Sequence, residues 1–499
     1  MKHPHSRTGI GTGSKPVART LPPIFALLLA ACSLTPTYER PDVALPEAFK
    51  EVPAGPGWKT ATPADHAARG EWWAVFGDPV LDSLQTQAAT ANQDLQAGLA
   101  RLQQARAQLQ GARAEYFPQL GVGTGPTRQR PSPASQGLAA DAQTTAFTLW
   151  RAQGTASYEP DLFGRIGSNV DAATAEQTQR EALFHALRLA IQADVAQTYF
   201  SLRELDAMAG LYADTVRLRE QSTQLFQRRF DAGDISELEL ASARTELASA
   251  RADALGVARR RAVAEHSLAL LLGKTPADFT LPPHPLDAIR LQVPAGLPSE
   301  LLERRPDIAA AERAMAAANA RIGAARAAFF PRLSLTGSFG FEASDLGDLF
   351  KWSSRTFIAG PLAGTLLSMP LFDGGARRAG VELAQAAYAE QVASYRQTVL
   401  KAFKEVEDNL ANLRLLEGQL QAQNQAVDSV RRSAVLSQAQ YREGFVSYLG
   451  VMDADRSVLQ QQRAAIQLEA ERARLTVDLI RALGGGWQAA PAPMLSALD

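Results

Sequence analysis

Long stretches of the chain repeat apolar side chains at the period of an α-helix. In one stretch they recur every 3.7 residues on average, close to the roughly 3.6 residues of a helical turn. Its members are Leu183, Leu187, Ile191, Val195, Thr198, Leu202, Leu205, Met208, Tyr212 and Val216. No proline occurs from Gly167 to Phe230, and at ~1.5 Å per residue a helix over this range is roughly 95 Å long. A globular core does not need a helix of this length. The alternative is an exposed coiled coil that serves only as a spacer.

Shorter stretches alternate residue by residue, as strands do. From Leu333 to Phe341, large apolar residues or glycine alternate with small polar ones, which predicts a strand with one apolar and one polar face. Its length is close to the roughly 9–11 residues of a membrane-spanning strand. The predicted strands cover residues 116–126, 147–160, 331–342 and 361–372. The pattern alone is equally compatible with a soluble antiparallel hairpin, because barrel strands carry a weak signal.

Two further helices are predicted immediately before the first strand of each pair. They run from about Asp82 to Glu115 and from about Pro306 to Ala328, and each is followed by a Phe-Pro pair. Proline ends a helix because it lacks the N–H and clashes with the preceding turn.

The same order of elements occurs twice, which indicates a tandem duplication. Landmarks recur about 211 residues apart, among them Phe117-Pro118 with Phe330-Pro331, Gly233 with Gly444, and Leu272-Gly273 with Leu483-Gly484. The predicted organisation is a signal peptide (1–31), an extended N-terminal segment (32–80), a first helix–strand–strand–helix repeat (81–273), a proline-rich joint (274–298), a second repeat (299–486) and a C-terminal tail (487–499).

The N-terminus has the pattern of a secretory signal. Basic residues precede the short apolar stretch from Leu21 to Ala31, and this stretch is too short to span a membrane. It ends in Leu29-Ala30-Ala31-Cys32, which resembles the lipobox of bacterial lipoproteins, although a chance cysteine is the alternative. Cys32 is the only cysteine, so we expect a covalent lipid on it. Ser33 follows, rather than the Asp that retains many such lipoproteins at the inner membrane, so the resemblance implies the outer membrane.

Charge and motif content argue against several functions. The formal net charge is −1, so nucleic acid is not an expected partner, since a basic face would signal it. None of the six histidines is spaced like metal ligands, and no phosphate-binding loop occurs. We therefore expect neither an enzyme, nor a metal, nor any cofactor beyond the lipid on Cys32.

Two glycine-containing turns interrupt the long helical stretches. Gly233 and Gly444 allow the positive φ of a tight turn between helices. Ser236 and Ser447 follow them at positions suited to cap the returning helix. The predicted tips therefore consist of closely related turns.

These landmarks resemble the outer-membrane efflux proteins of the TolC type, in the lipoprotein branch that includes OprM and NodT. The matching segments are Gly70-Glu71-Trp72-Trp73, Phe76-Gly77-Asp78-Pro79, Tyr158-Glu159-Pro160-Asp161-Leu162-Phe163-Gly164-Arg165, Gly296-Leu297-Pro298-Ser299-Glu300-Leu301-Leu302, Arg304-Arg305-Pro306-Asp307 and Ala482-Leu483-Gly484-Gly485-Gly486-Trp487. The resemblance implies a mainly α fold with a small membrane β-barrel. Three subunits, each giving four strands, form a twelve-stranded barrel, and long antiparallel helical hairpins form a periplasmic tunnel.

The resemblance also implies site residues. It places a periplasmic gate at Leu449, Asp453 and Arg456, and it assigns contact with an adaptor protein to the tips at Gly233, Ser236, Gly444 and Ser447. Residues i, i+4 and i+7 share one helical face, yet without the family an ordinary surface Asp–Arg pair explains the charges. TolC carries an aspartate where this chain has Gly450 and an arginine where it has Val446, so its detailed latch does not transfer.

The duplication permits an internal comparison of the gate. The positions opposite Leu449, Asp453 and Arg456 in the first repeat are Leu238, Ser242 and Thr245. We therefore hypothesise that the second hairpin carries the electrostatic latch, while the first contributes packing.

The expected function is a passive, gated exit duct for small molecules in a tripartite efflux system. The partners implied by the family are two further copies of the chain, a periplasmic adaptor and an inner-membrane pump of the RND type, together with outer-membrane lipid. Two alternatives remain at this point. One is the outer component of a protein secretion system, and the other is a lipid-anchored periplasmic coiled-coil scaffold without a pore.

Overall fold

Two pairs of helices with matching lengths dominate the computed structural model, which describes residues 34–42, 49–50, 70–284, 286, 304–359 and 366–485. Helices α3 (Arg165–Asp231) and α6 (Ala376–Arg442) have 67 residues each. Helices α4 (Glu237–Leu271) and α7 (Tyr448–Ala482) have 35 each. The shorter helices are α1 (Pro79–Ala91), α2 (Gln93–Ala114) and α5 (Pro306–Ala327). No described helix carries an apolar stretch long enough to cross a membrane.

The strands form two antiparallel sheets. Strands β1 (Gln119–Gln129), β2 (Phe147–Tyr158), β4 (Leu335–Ala343) and β5 (Arg355–Ala359) form a sheet in the order β1-β2-β4-β5, and β3 (Arg332–Leu333) pairs with β6 (Leu367–Ser368). The chain divides into two compact units. The sheet unit comprises the described residues up to Pro36, Tyr116–Ser168 and Gly323–Arg377; the helical unit comprises the remaining described residues.

Packing in the helical unit follows the apolar period seen in the sequence. Val195 and Leu202 are fully buried on α3, and Tyr199 is almost so. They belong to the largest apolar cluster, which also contains Leu268 and Val477. The predicted stripe is thus buried through its middle, whereas Leu183 near its start is exposed.

The predicted single helix over residues 82–115 is wrong, because the structure breaks it at Asn92. The backbone of Asn92 is extended there. Its side chain accepts a hydrogen bond from the backbone N–H of Leu95 and donates one to the carbonyl of Leu271 at 2.8 Å. A buried amide that satisfies the ends of two helices stabilises the break.

The predicted strand at 361–372 is also misplaced. The strand that returns along β4 is β5, over Arg355–Ala359. In the described part of the predicted range, residues 366–372, Leu367–Ser368 is assigned to a strand. β5 contains the β-branched and aromatic residues Thr356, Phe357 and Ile358, which favour strands. Residues 360–365 lie outside the described residues.

The other predicted strands are shifted by small amounts. The first begins at Gln119, after Pro118, rather than at residue 116. The predicted strand 331–342 is divided at Ser334, whose backbone N–H donates to the carbonyl of Leu366 at 2.9 Å. The predicted signal 1–31, Cys32, the tail 487–499 and most of the joint 274–298 lie outside the described residues.

Candidate functional site

The tips of the two helical hairpins share one backbone geometry. Gly233 and Gly444 both have φ +80°, a left-handed conformation that only glycine adopts without strain. At each tip two backbone N–H groups bond back to the end of the preceding helix. The bonds are Gly233 to Phe230 and Asp234 to Arg229 in the first tip, and Gly444 to Tyr441 and Phe445 to Gln440 in the second.

The serines after these turns differ. Ser236 forms a capping box with Glu239: the serine Oγ accepts from the backbone N–H of Glu239 at 3.4 Å, and Glu239 Oε2 accepts from the backbone N–H of Ser236 at 3.0 Å. Ser447 occupies the same position before α7 without a side-chain capping bond. The third residue after Ser447 is Gly450, which has no carboxylate to complete a capping box.

Apolar packing joins the two hairpins beside their tips. The cluster consists of Phe226, Leu240, Ala243, Tyr448, Val451 and Met452. The rings of Phe226 and Tyr448 lie 4.1 Å apart between centroids. Arg229 Nη1 donates to the Tyr441 hydroxyl at 3.1 Å. Both hairpins therefore contribute to one packed end.

The three predicted gate residues lie on α7 beside this cluster. Leu449 and Asp453 are next to its members Tyr448 and Met452 in the sequence, and Arg456 lies one turn farther along. Leu449 is 53% exposed, and the side chains of Asp453 and Arg456 are 75% and 54% exposed. Arg456 Nη1 lies 3.3 Å from Asp453 Oδ1. As an exposed i, i+3 pair in water this contact stabilises the helix little, so the two charges remain available to other groups.

Arg456 has a second partner, which comes from the first hairpin. Its Nε donates to Glu246 Oε1 at 2.9 Å, and its Nη2 contacts the same oxygen. Glu246, on α4, is 9% exposed, and it also faces Arg219 of α3 at 3.6 Å. Arg219 in turn faces Asp455 of α7 at 3.8 Å. We call Arg219, Glu246, Asp455 and Arg456 the tip charge network.

The network links three helices across the two repeats. Burial raises the pKa of Asp455, Arg219 opposes this shift and Glu246 adds to it. The pKa of Arg456 is raised by its hydrogen bond to Glu246, so its charge is secure. Removing one partner of a buried ion pair is strongly destabilising, because the other charge is left uncompensated.

This arrangement adds charged contacts to the first hairpin, for which the hypothesis named packing. Two of the four network residues, Arg219 and Glu246, belong to the first repeat. Sequence reasoning missed them because Glu246 and Arg456 are 210 positions apart. The local signal was a charged residue among small ones, since the neighbours of Glu246 on the same face of α4 are serine and alanine.

The four-stranded sheet has two unlike faces. Directly opposed residues share a face, as Gly154 with Phe339 and Arg151 with Glu342. The apolar face carries Leu120, Val122, Trp150, Ala152, Ala156, Tyr158, Leu335, Phe339, Phe341 and Phe357, together with Thr124, Arg128, Thr148 and Arg355. The polar face carries Gln119, Thr127, Gln129, Arg151, Gln153, Thr155, Ser157, Thr336, Ser338, Glu342 and Thr356, together with Phe147, Leu149 and Ile358. Val122 is 93% and Phe357 81% exposed, so the apolar face is uncovered in a single chain.

Glycines on both faces lie beside larger side chains. A Cβ at Gly154 would lie 2.9 Å from the ring of Phe339, which covers the bare backbone of the neighbouring strand. A Cβ at Gly121 would lie 2.9 Å from Thr155 Oγ1. Pairing a glycine with a large neighbour is one way in which sheets pin their register.

The described residues contain no candidate metal-binding site, since no group of three or more His, Cys, Asp or Glu side chains among them is arranged to hold an ion. Cys32, the predicted lipid attachment site, lies outside those residues.

Comparison with known proteins connects this geometry to a family. The family model described as outer membrane efflux protein matches residues 84–274 and 297–485. TtgC of Pseudomonas putida, a probable efflux pump outer membrane protein, is 36% identical over 470 residues, covering 93% of this chain and 94% of TtgC. The cation efflux system protein CusC of Escherichia coli is 34% identical over 476 residues, covering 94% and 99%.

Solved structures agree in fold. The outer-membrane channel OprN has a TM-score of 0.81 at 31% identity, covering 92% of this chain and all of OprN. The open state of the Neisseria gonorrhoeae MtrE outer membrane channel has a TM-score of 0.76 at 31% identity, covering 91% and 98%. The relatives are named as efflux proteins and the solved structures as outer-membrane channels. The family match includes both repeats. The chain therefore belongs to the family of outer membrane efflux proteins.

Proposed function

We propose that this outer-membrane efflux channel works as a homotrimer whose sheets close into one membrane barrel. The observation that carries the proposal is the two-faced sheet: among the described strands, β1 and β5 each pair on one side only. Unpaired backbone groups are not tolerated in lipid, and closure by further copies removes such edges. The apolar face then meets lipid, and the polar face lines the pore.

The proposed gate lies at the other end of the hairpins. Copies of Leu449 form an apolar constriction, and copies of Asp453 form an acidic ring. The tip charge network holds α7 of each subunit against its first hairpin through Arg456 and Glu246. Opening then separates these charges, and this requires a partner that compensates them.

Members of this family serve pump systems, so the channel works with an adaptor and an inner-membrane pump. We propose that the adaptor contacts the tips at Gly233, Ser236, Gly444 and Ser447, and that the pump is of the RND type. The pump supplies the energy and selects the cargo. Relatives are named for toluene and for cations, which is consistent with a duct that does not itself choose one chemical class.

No catalytic step belongs to this proposal, and its only covalent addition is a lipid on Cys32. The lipid adds attachment to the outer membrane, while the strands provide insertion. A Cys32→Ser variant is expected to insert as a trimer and to export normally. Loss of export despite normal insertion would give the anchor a larger role.

The decisive experiment combines mass and conductance for the full-length protein. Native mass spectrometry in detergent should give three copies, and planar bilayers should show small, mostly closed channels. A monomer without conductance would favour the periplasmic scaffold. A conducting channel whose deletion leaves drug susceptibility unchanged but abolishes secretion of a protein would favour the secretion component.

A further inference from the structure

One charged pair stands alone on the polar face of the four-stranded sheet. Among the strand residues on that face, Arg151 of β2 and Glu342 of β4 are the charged ones. They are directly opposed, and Arg151 Nε donates to Glu342 Oε2 at 2.6 Å. Their neighbours on the same face are all uncharged and include Thr127, Leu149 and Gln153, with Gly125 and Gly340.

The space beside the pair is open. The residue opposite Arg151 on the other side is Gly125 of β1, and a Cβ placed there would meet no atom within 4 Å. The side chains of Arg151 and Glu342 are 37% and 30% exposed. Both charges therefore reach water on this face rather than being enclosed by the sheet.

We infer that Arg151 and Glu342 set the ion selectivity of the strand-lined section of the pore. The inference rests on the proposed barrel, in which the polar face lines the pore. Paired, the two charges cancel, and this section passes anionic and cationic solutes alike. Removing one of them leaves a like-charged ring, with one charge from each copy. Rings of one sign select ions of the opposite sign.

A purely structural role for the pair makes a different prediction. A cross-strand ion pair that only pins the register contributes roughly 0.2–1 kcal/mol, and its loss changes stability without changing which ions pass. Selectivity therefore separates the two roles. The salt dependence also distinguishes the two roles. The Debye length, beyond which a charge is screened, is roughly 30 Å at 0.01 M salt and roughly 3 Å at 1 M, so an effect of charge on passing ions should weaken as salt rises.

The test measures reversal potentials of the full-length protein in planar bilayers under a KCl gradient. Glu342→Gln should shift selectivity toward chloride and Arg151→Gln toward potassium. The ratio should change about two-fold or more per charge at a distance of ~10 Å in water. Both shifts should vanish near 1 M KCl. The double variant R151E/E342R restores an opposite pair and should return the wild-type value.

The matched control is Arg128→Gln, which removes the same charge from the apolar face of β1 and should leave the reversal potential unchanged. Unshifted potentials for both single variants in a conducting channel would overturn this inference and leave the proposed pore intact. A wild-type protein without conductance would overturn the barrel and this inference with it.

Discussion

The carboxylate of Glu246 is shared by two guanidinium groups that belong to different repeats. Arg219 is buried on α3 and Arg456 is half exposed on α7. Removing Glu246 therefore leaves one guanidinium poorly compensated inside the bundle and frees the other. Removing Asp453 takes away only an exposed partner. The two acidic residues around Arg456 therefore differ. Glu246 holds Arg456 against the first hairpin, and Asp453 is the exposed carboxylate of the proposed gate.

Glu246→Gln should loosen the tip and raise single-channel conductance. Breaking a buried pair from one side costs about 3 kcal/mol, which is large beside the exposed Asp453–Arg456 contact. Asp453→Ala should instead alter cation binding at the aperture with little change in stability. The matched control for charge is Asp214→Asn, which breaks an exposed Asp–Arg pair on α3. Equal conductance of Glu246→Gln and Asp214→Asn would contradict the holding role.

The raised pKa of Asp455 predicts a pH dependence at the tip. Burial is the main cause of the shift, so the folded carboxyl holds its proton more tightly than the unfolded one does. Stability at the tip should therefore fall as pH rises from about 3.9 through the folded pKa. Asp455→Asn should lack this slope.

Hydrogen–deuterium exchange of the tip peptides, compared between wild type and Asp455→Asn at each pH, isolates this effect, because the intrinsic exchange rate cancels. The protection of wild type relative to the variant should decrease as pH rises. A difference that stays constant or grows with pH would exclude the raised pKa as its source.

At the scale of elements, each repeat uses a side-chain donor to hold the end of its returning helix. In the first repeat Asn92 donates to the carbonyl of Leu271. In the second, Arg305 donates to the carbonyl of Ala482 at 2.9 Å and also binds Asp307. The two donors occupy corresponding places but differ in chemistry. The carbonyl at the end of the returning helix therefore accepts from an amide in the first repeat and from a guanidinium in the second.

The capping serines offer a prediction with its control built into the chain. Ser236→Ala removes a formed capping box and should destabilise the start of α4 by about 1 kcal/mol. Ser447→Ala removes no side-chain cap and should have almost no effect. Amide exchange in the first turn of α4 and of α7 measures both. Similar losses in the two helices would mean that Ser447 caps in solution.

The long helices were predictable, while the network and two element boundaries were not. The stripe through Val195 and Leu202 is local, so periodicity reveals it. The break at Asn92 depends on a carbonyl 179 positions away, and Glu246 finds Arg456 across the duplication. Residues whose roles depend on contacts with distant parts of the chain produce no local sequence pattern. The return strand β5 was not recognised, because its five residues are too few to show a clear alternation.

At the scale of the whole molecule, the two faces of the sheet carry opposite requirements. An uncovered apolar face suits lipid, and a face of serine, threonine and glutamine suits a water-filled interior. This division also explains why charged residues other than Arg151 and Glu342 in these strands, such as Arg128 and Arg355, lie near the strand ends.

Val122→Arg should therefore block insertion, while Gln153→Arg should be tolerated. A lipid-facing arginine costs about 2–4 kcal/mol near the middle of a bilayer, and every copy in the assembly bears it. The same residue on the polar face stays in water. Membrane fractionation and heat-modifiable gel mobility distinguish the two variants. Normal insertion of Val122→Arg would reverse the assignment of the faces.

The equal lengths of the paired helices restrict how this protein can change over generations. With 67 residues in α3 and α6 and 35 in α4 and α7, both tips lie the same number of turns from their strands. A one-residue insertion in α3 rotates everything beyond it by about 100°. It would also put the turn at Gly233 out of line with the corresponding turn at Gly444. Lineages that lengthen or shorten this duct should therefore carry insertions or deletions in matched sets, one in each helix, and in whole numbers of heptads.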